Sequence, residues 1–249
     1  MRYIELLGLP GSGKTTLLRS FRGRSLGGKS VRTVLSEDWA MGLRRFGYRE
    51  IGFFRWLEKI QPRMSSAEVI RNLTLDYWQM GIFSQYPNLF SHIFLCLETV
   101  VPEDRQREIL LNYWRSRISL YMDVSQSAGP SLCVVDEGLS QSVFSTMRRM
   151  SAPSERKLEL VDAVLRCLPL DRHVVMIRTP RELIEMRAQA NAKHLAYDLS
   201  LKIEEIDFIF QQQEKHGQAT FELDGSLSAE KLLAGLNSYI NSLDKRKSL

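Results

Sequence analysis

The sequence predicts a three-layer α/β fold in which a single domain, residues 1–249, surrounds a parallel sheet of five strands. Short apolar segments separated by helical patterns are the main evidence, because strands buried on both faces of a parallel sheet are apolar along their length. The predicted strands are Tyr3–Leu7, Val31–Leu35, Leu132–Asp136, His173–Ile177 and Ala219–Leu223. A hydrophobic content of 44% is also sufficient for one sizeable core.

Composition excludes several classes of protein. No apolar run approaches the roughly 18 residues of a membrane span, and charged residues make up 25% of the chain, as in ordinary globular proteins. The chain runs from Met1 directly into the first predicted strand, so we expect no signal peptide. Cys96, Cys133 and Cys167 lie in apolar contexts without metal-ligand spacing. We therefore expect a cytoplasmic protein with reduced thiols and no membrane contact.

The net charge of +5 is distributed unevenly along the chain. Residues 1–63 contain 13 Lys and Arg against 5 Asp and Glu, a local charge of +8. A basic surface of this kind fits a polyanionic partner such as nucleic acid. The other interpretation is a solvated set of helix faces around a basic phosphate site. We favour the second, because no aromatic side chains alternate with the basic ones as in a stripe that binds nucleic acid.

A phosphate-binding loop follows the first predicted strand directly. Residues 8–15 match the pattern G-x-x-x-x-G-K-[ST] at every fixed position, and a helical pattern begins immediately afterwards. In this motif, glycines allow backbone N–H groups to surround a phosphate, Lys14 reaches the β- and γ-phosphates, and Thr15 binds Mg²⁺. We expect Lys14 to be exposed when no nucleotide is bound. The predicted nucleotide-binding residues are Gly8, Gly11, Ser12, Gly13, Lys14, Thr15 and Thr16.

Two carboxylates end the third predicted strand, in the pattern known as Walker B. The strand Leu132–Asp136 is followed directly by Glu137. The carboxyl ends of parallel strands face the ligand crevice, so we expect Asp136 beside the Mg²⁺. Glu137 fits two roles, because an ATPase uses such a carboxylate to orient water and a kinase uses one near the acceptor hydroxyl.

The end of the second predicted strand offers a competing base. Glu37 and Asp38 follow this strand, and Trp39 comes next. Either carboxylate could bind an acceptor hydroxyl while Trp39 packs against an acceptor ring, and a solvated helix cap is the simpler alternative. Glu37 is our first choice. The sequence leaves open whether Glu37, Asp38 or Glu137 is the base.

Basic residues follow the fourth predicted strand. Arg187 lies on a helix predicted from Pro180 to about Gln189, and Lys193 lies just beyond it. Cations at this position could close over the transferred phosphoryl group and neutralise its charge. We therefore predict a lid over residues 180–196, with Arg187 as its catalytic cation and Lys193 as the second choice.

The segment between the second and third predicted strands is unusually long for a crossover connection. We interpret residues 40–130 as a helical insertion that is rich in aromatic residues, packs beside the sheet and binds the acceptor. Its predicted helices are Ala67–Met80, Pro87–Val100 and Pro102–Val124. Beyond the lid, helices are predicted over Leu199–Lys215 and Ser228–Leu243, where Ser228 can cap the last helix.

Taken together, these motifs resemble the P-loop nucleoside and nucleotide kinases, in the thymidylate kinase and deoxynucleoside kinase branch. The resemblance rests on the phosphate loop, the acidic ends of the second and third strands, and the stretch from Thr179 through Arg187. It implies a five-stranded parallel sheet in the order 2-3-1-4-5, an acceptor-binding helical region and a mobile lid. It also implies that Glu37 is the base and that Trp39 lines the acceptor pocket.

The chain departs from the pattern of this branch at the third strand. The branch has an arginine immediately after the acidic residue, whereas this chain has Glu137 and then Gly138. Arg148 or Arg149, in the following helix, could supply the missing cation. The lid also lacks a second well-spaced arginine.

The sequence therefore favours an Mg·ATP-dependent phosphotransferase that acts on a small-molecule acceptor such as a nucleoside or nucleotide. The alternatives are a partner-regulated P-loop ATPase and an NTPase associated with nucleic acid. The Asn-Lys-x-Asp motif that reads guanine is absent from the sequence, which favours adenine as the base of the nucleotide. The acceptor and the oligomeric state stay open.

Overall fold

The computed structural model describes residues 2–21, 25–26, 29–34, 85–126, 132–151, 154–190 and 199–246. Six strands form one sheet, in the spatial order β2-β3-β4-β1-β5-β6. The strands are β1 (Arg2–Leu7), β2 (Ser25–Leu26), β3 (Lys29–Val34), β4 (Leu132–Val135), β5 (Arg172–Arg178) and β6 (Ala219–Asp224). All neighbouring strands are parallel except β2 and β3, which are antiparallel.

The sheet differs from the expected one at its edge. The five parallel strands follow the order 2-3-1-4-5 among themselves, as the resemblance to the P-loop kinases implies. The expectation of a purely parallel five-stranded sheet is wrong, because the two-residue strand β2 pairs with β3 in the opposite direction. Such a short pairing has no periodicity that a sequence pattern could reveal.

Eight helices lie within the described part of the chain. They are α1 (Lys14–Ser20), α2 (Pro87–Val100), α3 (Asp104–Gln126), α4 (Leu139–Met147), α5 (Ser154–Arg166), α6 (Arg181–Ala190), α7 (Leu199–Lys215) and α8 (Ala229–Arg246). The predicted bounds of α2 and α7 agree with the structure, and α8 begins just after Ser228, whose Oγ accepts a bond from the Lys231 N–H. No described helix is long and apolar enough to cross a membrane.

Two hydrophobic clusters, one on each face of the sheet, give the predicted three layers. On β1, for example, Ile4 and Leu6 point to one cluster, and Tyr3 and Leu7 point to the other. This alternation is the period of two that every strand imposes on its side chains. Residues of α1 and α8 complete the first cluster, and residues of α2 to α7 complete the second.

Candidate functional site

The phosphate loop joins β1 to α1 at the carboxyl edge of the sheet, and its glycines are needed there for two reasons. Gly11 and Gly13 have φ angles of +88° and +101°, in the left-handed region that side chains disfavour. Gly8 is crowded instead, because a Cβ atom there would lie 2.6 Å from the Ser12 Oγ and 3.1 Å from the Ile177 carbonyl oxygen. The conformation of the loop therefore depends on Gly8 and Gly13, which are fixed positions of the motif, and on Gly11, which is not.

The loop is braced from the segment that follows β5. The Thr179 hydroxyl donates to the Ser12 carbonyl oxygen at 3.0 Å. The Arg187 guanidinium, on α6, donates to the carbonyl oxygens of Gly11 and Gly225, each at 3.1 Å. In the described structure Arg187 thus joins the phosphate loop to the turn after β6. Its predicted role over the transferred phosphoryl group stays a prediction.

Lys14 is buried in this structure, so the expectation that its side chain is exposed is wrong. Its ammonium group turns back into the loop and donates to the carbonyl oxygens of Gly8 and Leu9, at 2.5 and 3.0 Å. Burial lowers the pKa of Lys14 to about 8, and the nearby charges of Glu137 and Asp136 oppose this shift. The carbonyl groups take the place that phosphate oxygens would occupy as partners of the ammonium group.

Asp136 and Glu137 lie at the carboxyl end of β4, next to β1 in the sheet. Asp136 is buried, whereas the Glu137 side chain is 35% exposed. Both carboxylates act electrostatically on Lys14. The structure thus brings the predicted phosphate-loop lysine and the two predicted acidic residues to one edge of the sheet. Thr15 is half-buried and Thr16 is exposed, both in the first turn of α1.

Two residues that the sequence analysis missed contact Glu137. The Tyr113 hydroxyl donates to the Glu137 Oε2 at 2.9 Å, and the Arg117 guanidinium donates to the same oxygen at 2.8 Å. Both residues lie on α3, one helical turn apart. The spacing of four residues was visible in the sequence, but nothing in the sequence fixed the rotation of α3 relative to β4.

Arg117 therefore supplies a cation next to Glu137, where the sequence lacks an arginine after the third predicted strand. The two arginines that we expected to supply it lie elsewhere. The Arg148 guanidinium lies over the Phe144 ring, 5.6 Å from its centre. The Arg149 guanidinium donates to the Ser145 carbonyl oxygen at 3.0 Å, on the helical turn before it.

A second cluster of charges lies behind the site, within the core. Glu5 on β1 and Arg172 on β5 form an ion pair in which each side chain is 1% exposed. Glu5 also accepts hydrogen bonds from the backbone N–H and the hydroxyl of Ser140, in the first turn of α4. The Gln213 side-chain oxygen, on α7, accepts from Arg172 at 2.6 Å and lies 2.8 Å from the Ser140 Oγ, whose single hydrogen is donated to Glu5.

This cluster fixes the start of α4, which lacks a side-chain cap of its own at Gly138. A Cβ atom at Gly138 would collide with the Glu5 carboxylate. The Glu5 carboxylate, on β1, therefore accepts a hydrogen bond from the backbone N–H group of Ser140, as a side-chain cap at the start of the helix would. The position of Gly138 also fixes that of Glu137, the residue before it.

Several predicted site residues lie outside the described part of the chain. They are Glu37, Asp38, Trp39 and Lys193, together with residues 40–84 and 127–130 of the predicted insertion and residues 191–196 of the predicted lid. The assignment of residues 40–130 to acceptor binding and of residues 180–196 to a lid stays a prediction. In the structure Cys96 and Cys133 are buried, Cys167 is partly buried, and all three thiols are free.

No protein-family profile matches the sequence, and no curated protein matches it. Solved structures do match. A deoxyadenosine kinase from M. mycoides with bound dATP has a TM-score of 0.50 and 10% identity, over 97% of this chain and 100% of that chain. The same kinase with dCMP and dCDP has a TM-score of 0.47 and 9% identity, over 96% and 99% of the two chains. At this identity the first match establishes the fold, and this chain has the α/β fold of that kinase.

Proposed function

We propose that this protein is an Mg·ATP-dependent phosphotransferase that moves the γ-phosphoryl group of ATP to a small-molecule acceptor. One observation carries the proposal, namely the convergence of Lys14, Asp136 and Glu137 where β1 and β4 end side by side. A loop with the phosphate-binding sequence supplies Lys14, and the adjacent strand supplies both carboxylates. Phosphoryl transfer needs this combination, because its catalysis is mainly positioning and neutralisation of charge.

The residues at this edge fit a magnesium ion. The hydroxyl of Thr15 and the carboxylate of Asp136 are hard oxygen ligands of the kind that Mg²⁺ prefers. The described residues contain no group of three or more His, Cys, Asp or Glu side chains that could hold a metal ion by themselves. This fits Mg²⁺, which commonly takes one or two protein ligands and completes its shell with phosphate and water. When bound, the ion would neutralise charge on the β- and γ-phosphates.

The protein's own residues would act as follows. The glycines of the loop leave its backbone N–H groups accessible to phosphate oxygens. The Lys14 ammonium group would exchange the carbonyl oxygens of Gly8 and Leu9 for the β- and γ-phosphates. Glu37, or Glu137 in its place, would accept the proton of the acceptor hydroxyl. Arg187 would need to leave its carbonyl partners to reach the transferred group.

A nucleoside or nucleotide is the first acceptor class to test. One structural neighbour is a deoxyadenosine kinase, and the deoxynucleoside kinase branch shares the acidic residues after the second strand. The departure at Glu137, where that branch has arginine, means that the acceptor is not fixed by the resemblance. We therefore propose the class and leave the individual compound to the experiment.

The test is an incubation with Mg·ATP, alone and with a pool of nucleosides, nucleotides and other small hydroxyl metabolites. Mass spectrometry then searches for a product that is heavier by one phosphoryl group. We expect such a product, and its identity names the acceptor. Release of orthophosphate at a rate that the pool does not change would contradict the proposal and favour a partner-regulated ATPase.

A further inference from the structure

The carboxylate of Glu137 is held on one side by helix α3. Tyr113 and Arg117 lie one turn apart on this helix, and both donate to the same oxygen, Oε2, at 2.9 and 2.8 Å. Within the described part of the chain, no residue donates a hydrogen bond to Oε1. The contact therefore fixes the orientation of the carboxylate and leaves its second oxygen available.

The Arg117 side chain that holds Glu137 is buried, whereas the Glu137 carboxylate is partly exposed. The Arg117 side chain is 5% exposed and its guanidinium lies over the Tyr113 ring, 4.7 Å from the ring centre. The Glu137 side chain is 35% exposed. A buried cation stacked on an aromatic ring has little freedom to move, so it is a rigid anchor for the more exposed carboxylate.

The contact also joins two parts of the site that are far apart in the sequence. Glu137 follows Asp136 at the end of β4, where the phosphate loop lies. Tyr113 and Arg117 belong to the segment 40–130, which we predict to bind the acceptor. A shift of α3 would therefore move the Glu137 carboxylate relative to the phosphate loop.

We propose that Tyr113 and Arg117 are positioning residues, which hold Glu137 by Oε2 so that Oε1 faces the hydroxyl or water that attacks the phosphoryl group. This inference rests on the proposed function and adds the residues through which α3 acts on the reaction. Glu137 acts on the reacting groups, and the two residues of α3 act only through it.

The experiment compares Arg117→Met and Tyr113→Phe with the wild type and with Tyr121→Phe. Tyr121 is a matched control, because its hydroxyl lies on the same helix but donates to Asp171, away from Glu137. Each substitution is also made in the Glu137→Gln background. The readouts are kcat and KM for transfer from Mg·ATP to deoxyadenosine, or to the member of the pool that is phosphorylated where deoxyadenosine is not, the rate of ATP hydrolysis without acceptor, and the unfolding temperature.

We expect Arg117→Met to lower kcat about 100-fold and Tyr113→Phe about tenfold, with KM for ATP changed less than about twofold, since a small misplacement of a reacting group has effects of this size. Tyr121→Phe should leave kcat unchanged, and Arg117→Lys should recover part of the loss. In the Glu137→Gln background, neither substitution should lower kcat further.

Two results would overturn the positioning role. One is an unchanged kcat in Arg117→Met and Tyr113→Phe with a lower unfolding temperature, because the contacts would then be structural only. The other is a fall in kcat that is as large in the Glu137→Gln background as in the wild type, because the two residues would then act without Glu137.

The hydrolysis readout separates this inference from the proposed function. If the wild type hydrolyses ATP but phosphorylates neither deoxyadenosine nor any member of the pool, the phosphotransferase proposal fails. If Arg117→Met and Tyr113→Phe then slow hydrolysis in the wild type but not in the Glu137→Gln background, the result supports positioning of Glu137 toward water. If neither substitution changes hydrolysis in the wild type, the positioning role is overturned. Absence of both reactions in the wild type would overturn both proposals.

Discussion

Two glutamate–arginine pairs lie on either side of the start of α4, and they differ in their surroundings. Glu5 and Arg172 are each 1% exposed, and Ser140 and Gln213 complete their hydrogen bonds. Glu137 and Arg117 form the other pair, in which the carboxylate is 35% exposed. The first pair is sealed within the core, and the second opens toward the phosphate loop. From this contrast we expect the first pair to maintain the fold, and we propose that the second serves the reaction.

The largest effect should come from breaking the sealed pair. We expect Glu5→Gln to lower the free energy of unfolding by about 3–5 kcal/mol, because it leaves the Arg172 guanidinium buried without its counter-charge. At about 2–4 °C per kcal/mol for a chain of this size, the unfolding temperature should fall by roughly 10 °C. Calorimetry or circular dichroism measures the shift.

The control for this prediction removes both charges. The double variant Glu5→Leu with Arg172→Met should recover much of the lost stability, because apolar side chains can replace a buried ion pair. Glu137→Gln should lower the free energy of unfolding less than Glu5→Gln does, because water reaches the 35% exposed Glu137 carboxylate even though Arg117 is buried. If Glu5→Gln and Glu137→Gln destabilise the protein equally, the contrast between the two pairs is wrong.

The next effect concerns the phosphate loop. Lys14→Met should lower the rate of phosphoryl transfer by at least about 100-fold, because it removes the cation that binds the β- and γ-phosphates. Since the ammonium group also bonds to Gly8 and Leu9, this substitution should alter the nucleotide-free loop as well. The assay with the pool of acceptors measures the rate, and an unchanged rate would contradict the assignment of the loop.

A third prediction tests Glu37 against Glu137 as the base. Glu37→Gln should lower transfer about 100-fold while Mg·ATP binding stays nearly unchanged, because general-base catalysis contributes effects of this size without holding the nucleotide. Titration of the protein with Mg·ATP gives the affinity, and product formation gives the rate. Should transfer survive this substitution and fail in Glu137→Gln, Glu137 is the base.

Much of the phosphate site could be predicted from the sequence because its determinants are local. The loop from Gly8 to Thr15 and the strand ending at Asp136 are continuous patterns whose meaning depends on a few adjacent residues. The order of the five parallel strands was predicted as well, through the resemblance that the loop and the strand ends establish. The position of Arg187 on a helix after β5 was also predicted.

The partners of the two glutamates could not be predicted. Glu5 is 167 residues from Arg172, and Glu137 is 20 residues from Arg117. Each pair forms only when helices and strands pack at a particular rotation. An amphipathic pattern shows which face of a helix is buried, but it does not fix the rotation closely enough to identify a contact. The burial of Lys14 was missed for a related reason, since its partners are backbone carbonyl oxygens of its own loop and no side-chain pattern records them.

The smallest effect we predict is a dependence of ATP affinity on pH, which follows from the burial of Lys14. Burial holds the pKa of this lysine at about 8 in the nucleotide-free protein, and bound phosphate favours the charged form and so raises the pKa. Affinity should therefore be constant below pH 8 and fall as the pH rises above 8, by up to about tenfold per unit, because binding then requires uptake of a proton.

Calorimetric titration with ATP, in buffers of different ionisation enthalpy, measures both the affinity and the number of protons taken up. At pH 9 we expect nearly one proton per ATP in the wild type and almost none in Lys14→Met. Glu137→Gln sharpens the comparison between the two pairs. The Glu137 charge opposes the lowering of the Lys14 pKa, so its loss should lower that pKa further and move the pH at which affinity begins to fall to a lower value. Glu5→Gln should leave the onset where it is. An affinity that stays constant from pH 7 to 10 would contradict the buried state of the lysine.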